Sequence, residues 1–190
     1  MGNSEAVQLF YALRETPFGP VAVLWSVYRA EPKVCRVLLS KPGASAKRLL
    51  ETSFADFISS SCSEIDVVAA QIVAFLNGDD IHFSLHIARL DLCSNFKEKV
   101  LRAEHGIPRG YVSTYQRIAK YVRRPSGARA VGTALANNPF PIIIPCHRAI
   151  RSDRTLGGYQ GGLTMKRALL EMEGILFTDI GRVVTGNLFY

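Results

Sequence analysis

Hydrophobic and polar residues form short alternating runs over the first forty positions. Apolar-rich segments cover Val7 to Arg14, Val21 to Tyr28 and Val34 to Leu39, and segments rich in proline and glycine separate them at 16–20 and 30–32. Short apolar runs bounded in this way are typical of β-strands. The start of the chain therefore predicts a small antiparallel sheet.

Apolar residues take up helical spacing after this sheet. The pattern predicts one helix over Ala46 to Phe57 and another over Glu64 to Leu76, with Ser63 as the N-cap of the second. Residues Ile81 to Leu92 return to an extended pattern. This part of the chain therefore combines a sheet with two helices.

The composition changes close to Cys93, and we place a domain boundary near residue 92. The N-terminal domain is then residues 1–92, and the C-terminal domain is residues 93–190. Ser94 is a suitable N-cap for a helix over Phe96 to Glu104. The second domain is predicted to be mostly helical.

Two short helices follow in the second domain. Ser113 and Gln116 have the spacing of a capping box, which predicts a helix that runs to about Val122. A short turn at 123–127 leads into a helix over Ala128 to Asn137. Two helices of this length joined by a tight turn are typical of a helix-turn-helix arrangement.

The second of these helices has small side chains over most of its length. A glycine inside a helix costs about 1 kcal/mol relative to alanine, so the sequence needs a reason to keep Gly132. Tight packing on a neighbouring helix is one reason, and close approach by a partner is the other. Arg129 is the only long side chain before Leu135; the small residues are Ala128, Ala130, Gly132, Thr133 and Ala134.

The net charge of +7 is distributed unevenly. Residues 1–96 hold 8 Lys and Arg against 10 Asp and Glu, whereas residues 97–190 hold 15 against 6, a net charge of +9. A basic half favours a polyanionic partner, although a solvated basic surface would give the same count.

The composition, 48% hydrophobic and 21% charged, is typical of a folded globular protein. No apolar run approaches the roughly 20 residues of a spanning helix, and the segment Met1 to Ala6 lacks the features of a secretory signal. We therefore expect no membrane association and an intracellular location, cytoplasmic, or nuclear in a eukaryote.

The four cysteines lie far apart and form no CxxC pair. This spacing disfavours a zinc site, and a reducing compartment disfavours disulfides. We expect no metal and no cofactor. Cys35, Cys62 and Cys93 are interpreted as small buried hydrophobes, which leaves Cys146.

Cys146 follows a stiff segment that contains three prolines and the apolar run Ile142 to Ile144, which we expect to be buried. His147 and Arg148 come directly after it, and nearby cations or a base promote thiolate formation. Residues adjacent in an extended segment point to opposite sides, so Cys146 and His147 need a bend at Pro145 or a bridging water to interact. The alternative interpretation of this segment is a buried structural cysteine beside a surface histidine, without a catalytic role.

The residues around Cys146 resemble the active-site signature of the O6-alkylguanine-DNA alkyltransferases. The resemblance is dense over residues 96–175, and residues 1–92 match only in general layout. Its motifs are Asn138-Pro139, Pro145-Cys146-His147-Arg148, Gly157-Gly158-Tyr159, Gly161-Gly162-Leu163, Lys166, Glu173-Gly174, Tyr115-Gln116 and Arg129-Ala130-Val131-Gly132.

The resemblance implies an α+β fold, with a ribonuclease H-like N-terminal domain and a winged helix-turn-helix domain that carries the active site. It implies repair of O6-alkylguanine, and of O4-alkylthymine, by irreversible and stoichiometric transfer of the alkyl group to Cys146. The protein would act as a monomer on double-stranded DNA, through minor-groove binding and base flipping. It would be a methylated-DNA–protein-cysteine S-methyltransferase that reacts once.

The resemblance also implies roles for five catalytic residues. Cys146 would be the nucleophile, and His147 would accept its proton through a water. Glu173 would orient His147, and Asn138 would brace the loop. Tyr115 would donate its phenol proton to N3 of the leaving guanine.

Other residues would bind DNA or the base by the same resemblance. The helix surface formed by Ala128, Ala130 and Gly132 would lie in the minor groove, and Arg129 would fill the space left by the extruded base. Gln160 stands where many relatives carry Ser; a base contact through its backbone N–H would be retained, and the effect of its longer side chain on the width of the pocket is left open. The remaining assignments are Pro141, Arg148, Ala149, Gly157, Tyr159 and Lys166.

Two other functions fit parts of the pattern. A noncatalytic DNA-lesion binder would share the fold, but proteins of that kind carry Trp in place of the reactive cysteine. A Cys-His hydrolase would need an oxyanion hole and a route for turnover, and neither is identifiable in the sequence. The three functions differ in the number of product molecules that each protein molecule forms.

Overall fold

A four-stranded sheet forms the N-terminal part of the molecule, in the order β3-β2-β1-β4. Strand β2 pairs antiparallel with both β1 and β3, which confirms the predicted antiparallel sheet, and the two-residue strand β4 pairs parallel with β1. The computed structural model describes residues 8–184, 186 and 188–190, so the predictions for Met1 to Ala6 and for Val7 lie outside the described residues. The strands are β1 (Leu9–Arg14), β2 (Val21–Tyr28), β3 (Glu31–Leu39), β4 (Ile58–Ser59), β5 (Ser113–Thr114), β6 (Ala149–Ile150), β7 (Leu176–Phe177) and β8 (Val183–Val184).

Strand β3 begins earlier than predicted because the turn before it has only two residues. Arg29 and Ala30 both have positive φ, at 52° and 64°, which is the backbone of a tight hairpin turn. Pro32 then lies inside β3, at the edge of the sheet, where a missing N–H is tolerated.

Six α-helices accompany the sheets in the described part of the chain. They are α1 (Ala46–Ser53), α2 (Ser63–Leu76), α3 (Asn95–His105), α4 (Tyr115–Tyr121), α5 (Ala128–Ala136) and α6 (Leu163–Met172). Together with the sheet they confirm an α+β fold. No helix among the described residues is long and apolar enough to cross a membrane.

Three predictions for the N-terminal half were wrong in detail. Helix α1 ends at Ser53, because Phe54 leaves helical geometry, and Cys62 rather than Ser63 is the N-cap of α2. Residues Ile81 to Leu92 are not a continuous extended segment, since they contain 3-10 turns at Leu85–Ile87 and Leu90–Leu92. Ser84 caps the first turn by accepting a hydrogen bond from the His86 N–H.

The predicted capping box at Ser113 was also wrong. Ser113 lies in β5, where its hydroxyl donates to the carbonyl of Phe189, and Thr114 is the N-cap of α4. Gln116 instead donates to the carbonyl of Pro125. Ser94 does cap α3, as predicted, by accepting from the Lys97 N–H.

The main hydrophobic core draws buried side chains from both sides of the predicted boundary at residue 92. Val23 and Val37 of the sheet belong to it, as do Leu101 of α3 and Cys146. The N–H of Val37 donates to the carbonyl of Pro139 over 2.8 Å, which ties β3 to the loop before Cys146. The division into two domains stays a prediction, and the sheet serves as a support for that loop.

Candidate active site

The loop before Cys146 is held in a strained conformation by its own buried side chains. Ile142 has a φ of 74°, which is unusual for a β-branched residue. As predicted, the three isoleucines are buried and anchor the loop in the core. The Asn138 amide donates to the carbonyl of Ile144 over 3.1 Å and accepts from the N–H of Phe140 over 2.9 Å. Asn138 therefore braces this loop.

Cys146 begins a 3-10 turn, Cys146–Arg148, and only 5% of its surface is exposed. Burial raises the pKa of its thiol to about 12, although Asn138 acts in the opposite direction. The expectation that adjacent cations would hold a thiolate was therefore wrong for the free protein. The thiol is neutral at pH 7, and a base must remove its proton when it reacts.

His147 is fully buried, so the alternative of a surface histidine was wrong. Its Nε2 lies 2.9 Å from a carboxylate oxygen of Glu173, and its Nδ1 is buried with no hydrogen-bond partner among the described residues. Burial lowers the pKa of His147, against the opposing effect of Glu173. With Nε2–H donating to the carboxylate, Nδ1 is an unprotonated acceptor.

Glu173 also binds the Arg148 guanidinium, a contact that sequence reasoning did not identify. The Arg148 guanidinium donates to both carboxylate oxygens of Glu173, over 2.8 and 2.9 Å, and to the carbonyl of Ile107 over 2.6 Å. Although burial acts to raise the pKa of Glu173, these two partners lower it to about 2. Arg148 is buried, so the structure contradicts its assignment as a DNA-binding residue.

A cavity of about 420 Å³ opens beside the Cys146 thiol. Two aromatic side chains line it, Tyr115 and Tyr159, and α5 supplies Arg129 and Gly132. The cavity therefore brings together residues as distant in the sequence as Tyr115 and Tyr159. Its other lining residues, which were not predicted, are Thr133, Leu135, Ala136, Arg151 and Gly158. Of these, Thr133 and Ala136 follow Arg129 at helical spacing, a signal that the sequence did contain.

The Tyr115 phenol lines this cavity in its protonated form, so it can donate a hydrogen bond. Burial raises the pKa of its phenol to about 12, so the phenol keeps its proton at neutral pH. Gly157, with a φ of 70°, passes so close that a Cβ there would lie 2.6 Å from the Tyr115 hydroxyl. Gly157 therefore makes room for Tyr115, a role distinct from its predicted contact with DNA.

Gly157→Ala is expected to displace the Tyr115 ring and to destabilise the fold by about 1–3 kcal/mol, because both the positive φ and the contact become unfavourable. Gly158→Ala is the matched control, since a Cβ at Gly158 would meet nothing within 4 Å. Denaturant unfolding would measure the loss of stability, and the ultraviolet spectrum of the tyrosines would report the displacement of the Tyr115 ring. Equal behaviour of the two variants would contradict the assigned role of Gly157.

Several of the small side chains of α5 face outward, and Ala134 faces the protein. Val131, Ala134 and Leu135 are buried against the protein, whereas Arg129, Ala130, Thr133 and Ala136 are exposed. A Cβ at Gly132 would meet nothing within 4 Å, so tight packing within the protein does not explain this glycine. The small surface is left for a partner to approach.

The remaining predicted base-binding residues occupy supporting positions. Lys166 is fully buried, and its ammonium donates to the carbonyls of Ala149 and Leu156, each over 2.6 Å, so it positions two loops rather than facing the cavity. Ala149 and Pro141 are buried. The Gln160 amide donates to the carbonyls of Ala136 and Asn138, over 3.2 and 2.6 Å. Gln160 is not among the residues that line the cavity beside Cys146, so its side chain does not narrow that cavity.

Glu104 of α3 is a buried carboxyl group that sequence reasoning missed. It has no exposed surface, and neither carboxyl oxygen has a hydrogen-bond partner within the described ranges. Burial raises its pKa to about 8, against the nearby charges of Lys166 and Arg148. Its side chain is therefore mainly a neutral acid at pH 7. Within the described part of the chain, no cluster of three His, Cys, Asp or Glu could hold a metal ion.

The fold and the site define an α+β protein in which the short helices α4 and α5 line a cavity beside the buried Cys146, and His147 pairs with Glu173. Residues 95–175 match the family model described as 6-O-methylguanine DNA methyltransferase, DNA binding domain. A solved structure of Mycobacterium tuberculosis OGT in complex with DNA superposes with a TM-score of 0.67 at 30% identity, covering 86% of this chain and 92% of that one. The chain therefore belongs to the methylated-DNA–protein-cysteine methyltransferase family.

Sequence relatives cover different lengths of the chain. The methylated-DNA–protein-cysteine methyltransferase of Methanothermobacter thermautotrophicus is 45% identical over 101 residues, which are 53% of this chain and 56% of that protein. The bifunctional transcriptional activator/DNA repair enzyme Ada of Escherichia coli is 33% identical over 176 residues, which are 90% of this chain and 47% of Ada. The chain thus spans about half the length of these curated relatives.

Proposed function

We propose that this protein repairs O6-alkylguanine in DNA by transferring the alkyl group to its own Cys146. The observation that carries the proposal is the cavity in which the Cys146 thiol and the Tyr115 phenol line the same space. A purine held there would have a nucleophile at its alkyl carbon and a proton donor at its ring. The family relationship supports the same reaction.

The first step is removal of the thiol proton. His147 Nδ1 is an unprotonated acceptor, and a water between it and Cys146 would pass on the proton. The resulting imidazolium is stabilised by the Glu173 carboxylate, which lies 2.9 Å from Nε2 and stays ionised. Because the thiol has a raised pKa, this base determines when the nucleophile forms.

The second step is displacement at the alkyl carbon. The sulfur forms a bond to this carbon as the bond from the carbon to O6 breaks, and the electron pair passes to the purine. The Tyr115 phenol donates a proton to N3, which makes the purine a better leaving group. The product is a dialkyl sulfide, which is a poor leaving group, so each protein molecule reacts once.

The outward surface of α5 supports binding in the minor groove. Its small residues permit close approach, and Arg129 is exposed at the mouth of the cavity, where it would replace an extruded base. O4-alkylthymine offers the same kind of alkyl–oxygen bond and is proposed as a second substrate. We also propose that the two halves are ribonuclease H-like and winged helix-turn-helix domains, and that the protein acts as a monomer inside the cell.

Mass spectrometry after mixing with duplex DNA that contains O6-methylguanine tests the proposal. We expect one added methyl group, about 14 Da, per molecule and only on Cys146. Cys35, Cys62 and Cys93 are partly exposed, so their interpretation as buried residues was wrong, and exposure alone would direct the methyl group to them rather than to the buried Cys146. Repeated turnover would indicate a hydrolase, and binding without mass change would indicate a noncatalytic lesion binder.

Arg129→Ala is expected to slow single-turnover repair of duplex DNA roughly tenfold while leaving reaction with free O6-methylguanine unchanged, because the free base needs no flipping. The penalty should shrink when the lesion lies in a mismatch, where extrusion costs less. Lys120→Ala removes another exposed cation outside the cavity and serves as the control. Equal slowing by Arg129→Ala on all three substrates would exclude the intercalating role.

A further inference from the structure

A second groove, of about 360 Å³, lies between the N-terminal sheet and the end of α5. Strand β3 and the segment after it contribute Arg36 and Lys41, and α3 contributes Lys97. On the opposite side are Ala136, Asn137 and Gln160. The groove is therefore built by both halves of the chain.

The charges of this groove are all positive. No carboxylate lines it, and the charged groups of Arg36, Lys41 and Lys97 have no hydrogen-bond or ion-pair partner among residues 8–184, 186 and 188–190. The Arg36 guanidinium lies over the Phe54 ring, 5.8 Å from its centroid, which leaves its charge without an anionic partner. Three cations around one concave surface repel one another, and an anion bound between them would relieve that repulsion. Two of these cations come from residues 1–96, the half whose net charge is −2.

The groove is braced by hydrogen bonds and is continuous with the active site. The hydrogen bond from Val37 to Pro139 joins its two sides, and the Gln160 amide holds the carbonyls of Ala136 and Asn138. Ala136 lines both this groove and the cavity beside Cys146. A ligand that extends from the cavity around the end of α5 would therefore enter the groove.

We propose that this groove binds backbone phosphates of the DNA whose alkylated base enters the Cys146 cavity. The proposal rests on the proposed function, and it assigns to the N-terminal half a direct part in holding the substrate. A DNA backbone fits because it is a chain of regularly spaced anions that continues on either side of the flipped nucleotide. Asn137 and Gln160 add amide groups suited to phosphate oxygens.

The test compares the wild-type chain with the triple variant Arg36→Gln, Lys41→Gln, Lys97→Gln. We expect duplex affinity to fall roughly tenfold or more at 50 mM salt, and the slope of log affinity against log salt to become shallower by about 2 to 3. The rate with free O6-methylguanine should not change. Neutral methylphosphonates can replace the backbone phosphates of the duplex one at a time. At the positions that contact the groove, this replacement should weaken binding of the wild type and should not weaken binding of the triple variant.

The matched control neutralises three cations outside the groove, by Arg29→Gln, Lys99→Gln and Arg182→Gln. This control variant has the same change in net charge as the triple variant. Its binding should respond to every methylphosphonate as the binding of the wild type does. An affinity and a salt slope of the triple variant equal to those of the wild type would overturn the groove proposal alone. Absence of methyl transfer by the wild type would instead overturn the proposed function, whatever the salt slopes.

Discussion

Glu173→Gln is expected to lower the free energy of unfolding by about 3–5 kcal/mol and to slow methyl transfer at least a hundredfold. The stability loss follows because Arg148 would keep its buried charge without a carboxylate partner. The rate loss follows because the imidazolium of His147 would lose its counter-charge. Denaturant unfolding and single-turnover transfer to Cys146 would measure the two effects separately.

The sequence alone predicted only the second of these effects. The resemblance assigns Glu173 to orienting His147 and Arg148 to DNA, so it does not predict the Glu173–Arg148 ion pair on which the stability loss depends. Glu171→Gln is the matched control, since Glu171 forms an exposed ion pair with Arg167 and its loss should cost less than about 0.5 kcal/mol. Wild-type stability in Glu173→Gln would contradict the proposed importance of the Glu173–Arg148 contact.

The Glu173 carboxylate also predicts the direction of acid sensitivity. Its pKa is lowered from 4.5 to about 2, so its contribution to stability is present above pH 4.5 and is lost as the pH falls towards 2. Unfolding measurements between these values should show a steeper loss of stability in the wild type than in Glu173→Gln.

Glu104→Leu is expected to stabilise the protein by about 2–4 kcal/mol at pH 8, because it removes a buried carboxyl group that has no hydrogen-bond partner in the described part of the chain. The stabilisation by Glu104→Leu should increase with pH. The pKa of Glu104 is raised from 4.5 to about 8, so between these values the folded state keeps a proton that the unfolded state releases. The wild type therefore loses stability as the pH rises through this window.

The stability difference between Glu104→Leu and the wild type should thus grow from pH 4.5 to pH 8. Glu98→Gln, on the same helix, is the control, because Glu98 forms an ion pair with the exposed side chain of Arg102. Denaturant unfolding at several pH values would measure the difference. A difference that stays constant with pH would mean that Glu104 does not titrate as its burial requires.

Local patterns in the sequence determined much of this protein. Apolar runs between turn residues predicted β1, β2 and β3, because strand formation there depends on alternation and on the adjacent turns. The isoleucines and prolines before Cys146 predicted a stiff buried loop, whereas the small residues of α5 were consistent both with tight internal packing and with close approach by a partner. The motif around Cys146 was sufficient to indicate the family.

Other features depend on which distant residues the fold brings together. Glu173 lies next to His147 and Arg148 only because α6 ends against the Cys146 turn, so no local pattern could show that it binds both. The raised pKa of Cys146 depends on burial by the core, and the cationic groove depends on β3, α3 and α5 meeting. Desolvation and charge pairing depend on which groups are close in space. The pKa values and ion pairs that they produce are therefore determined by the tertiary structure.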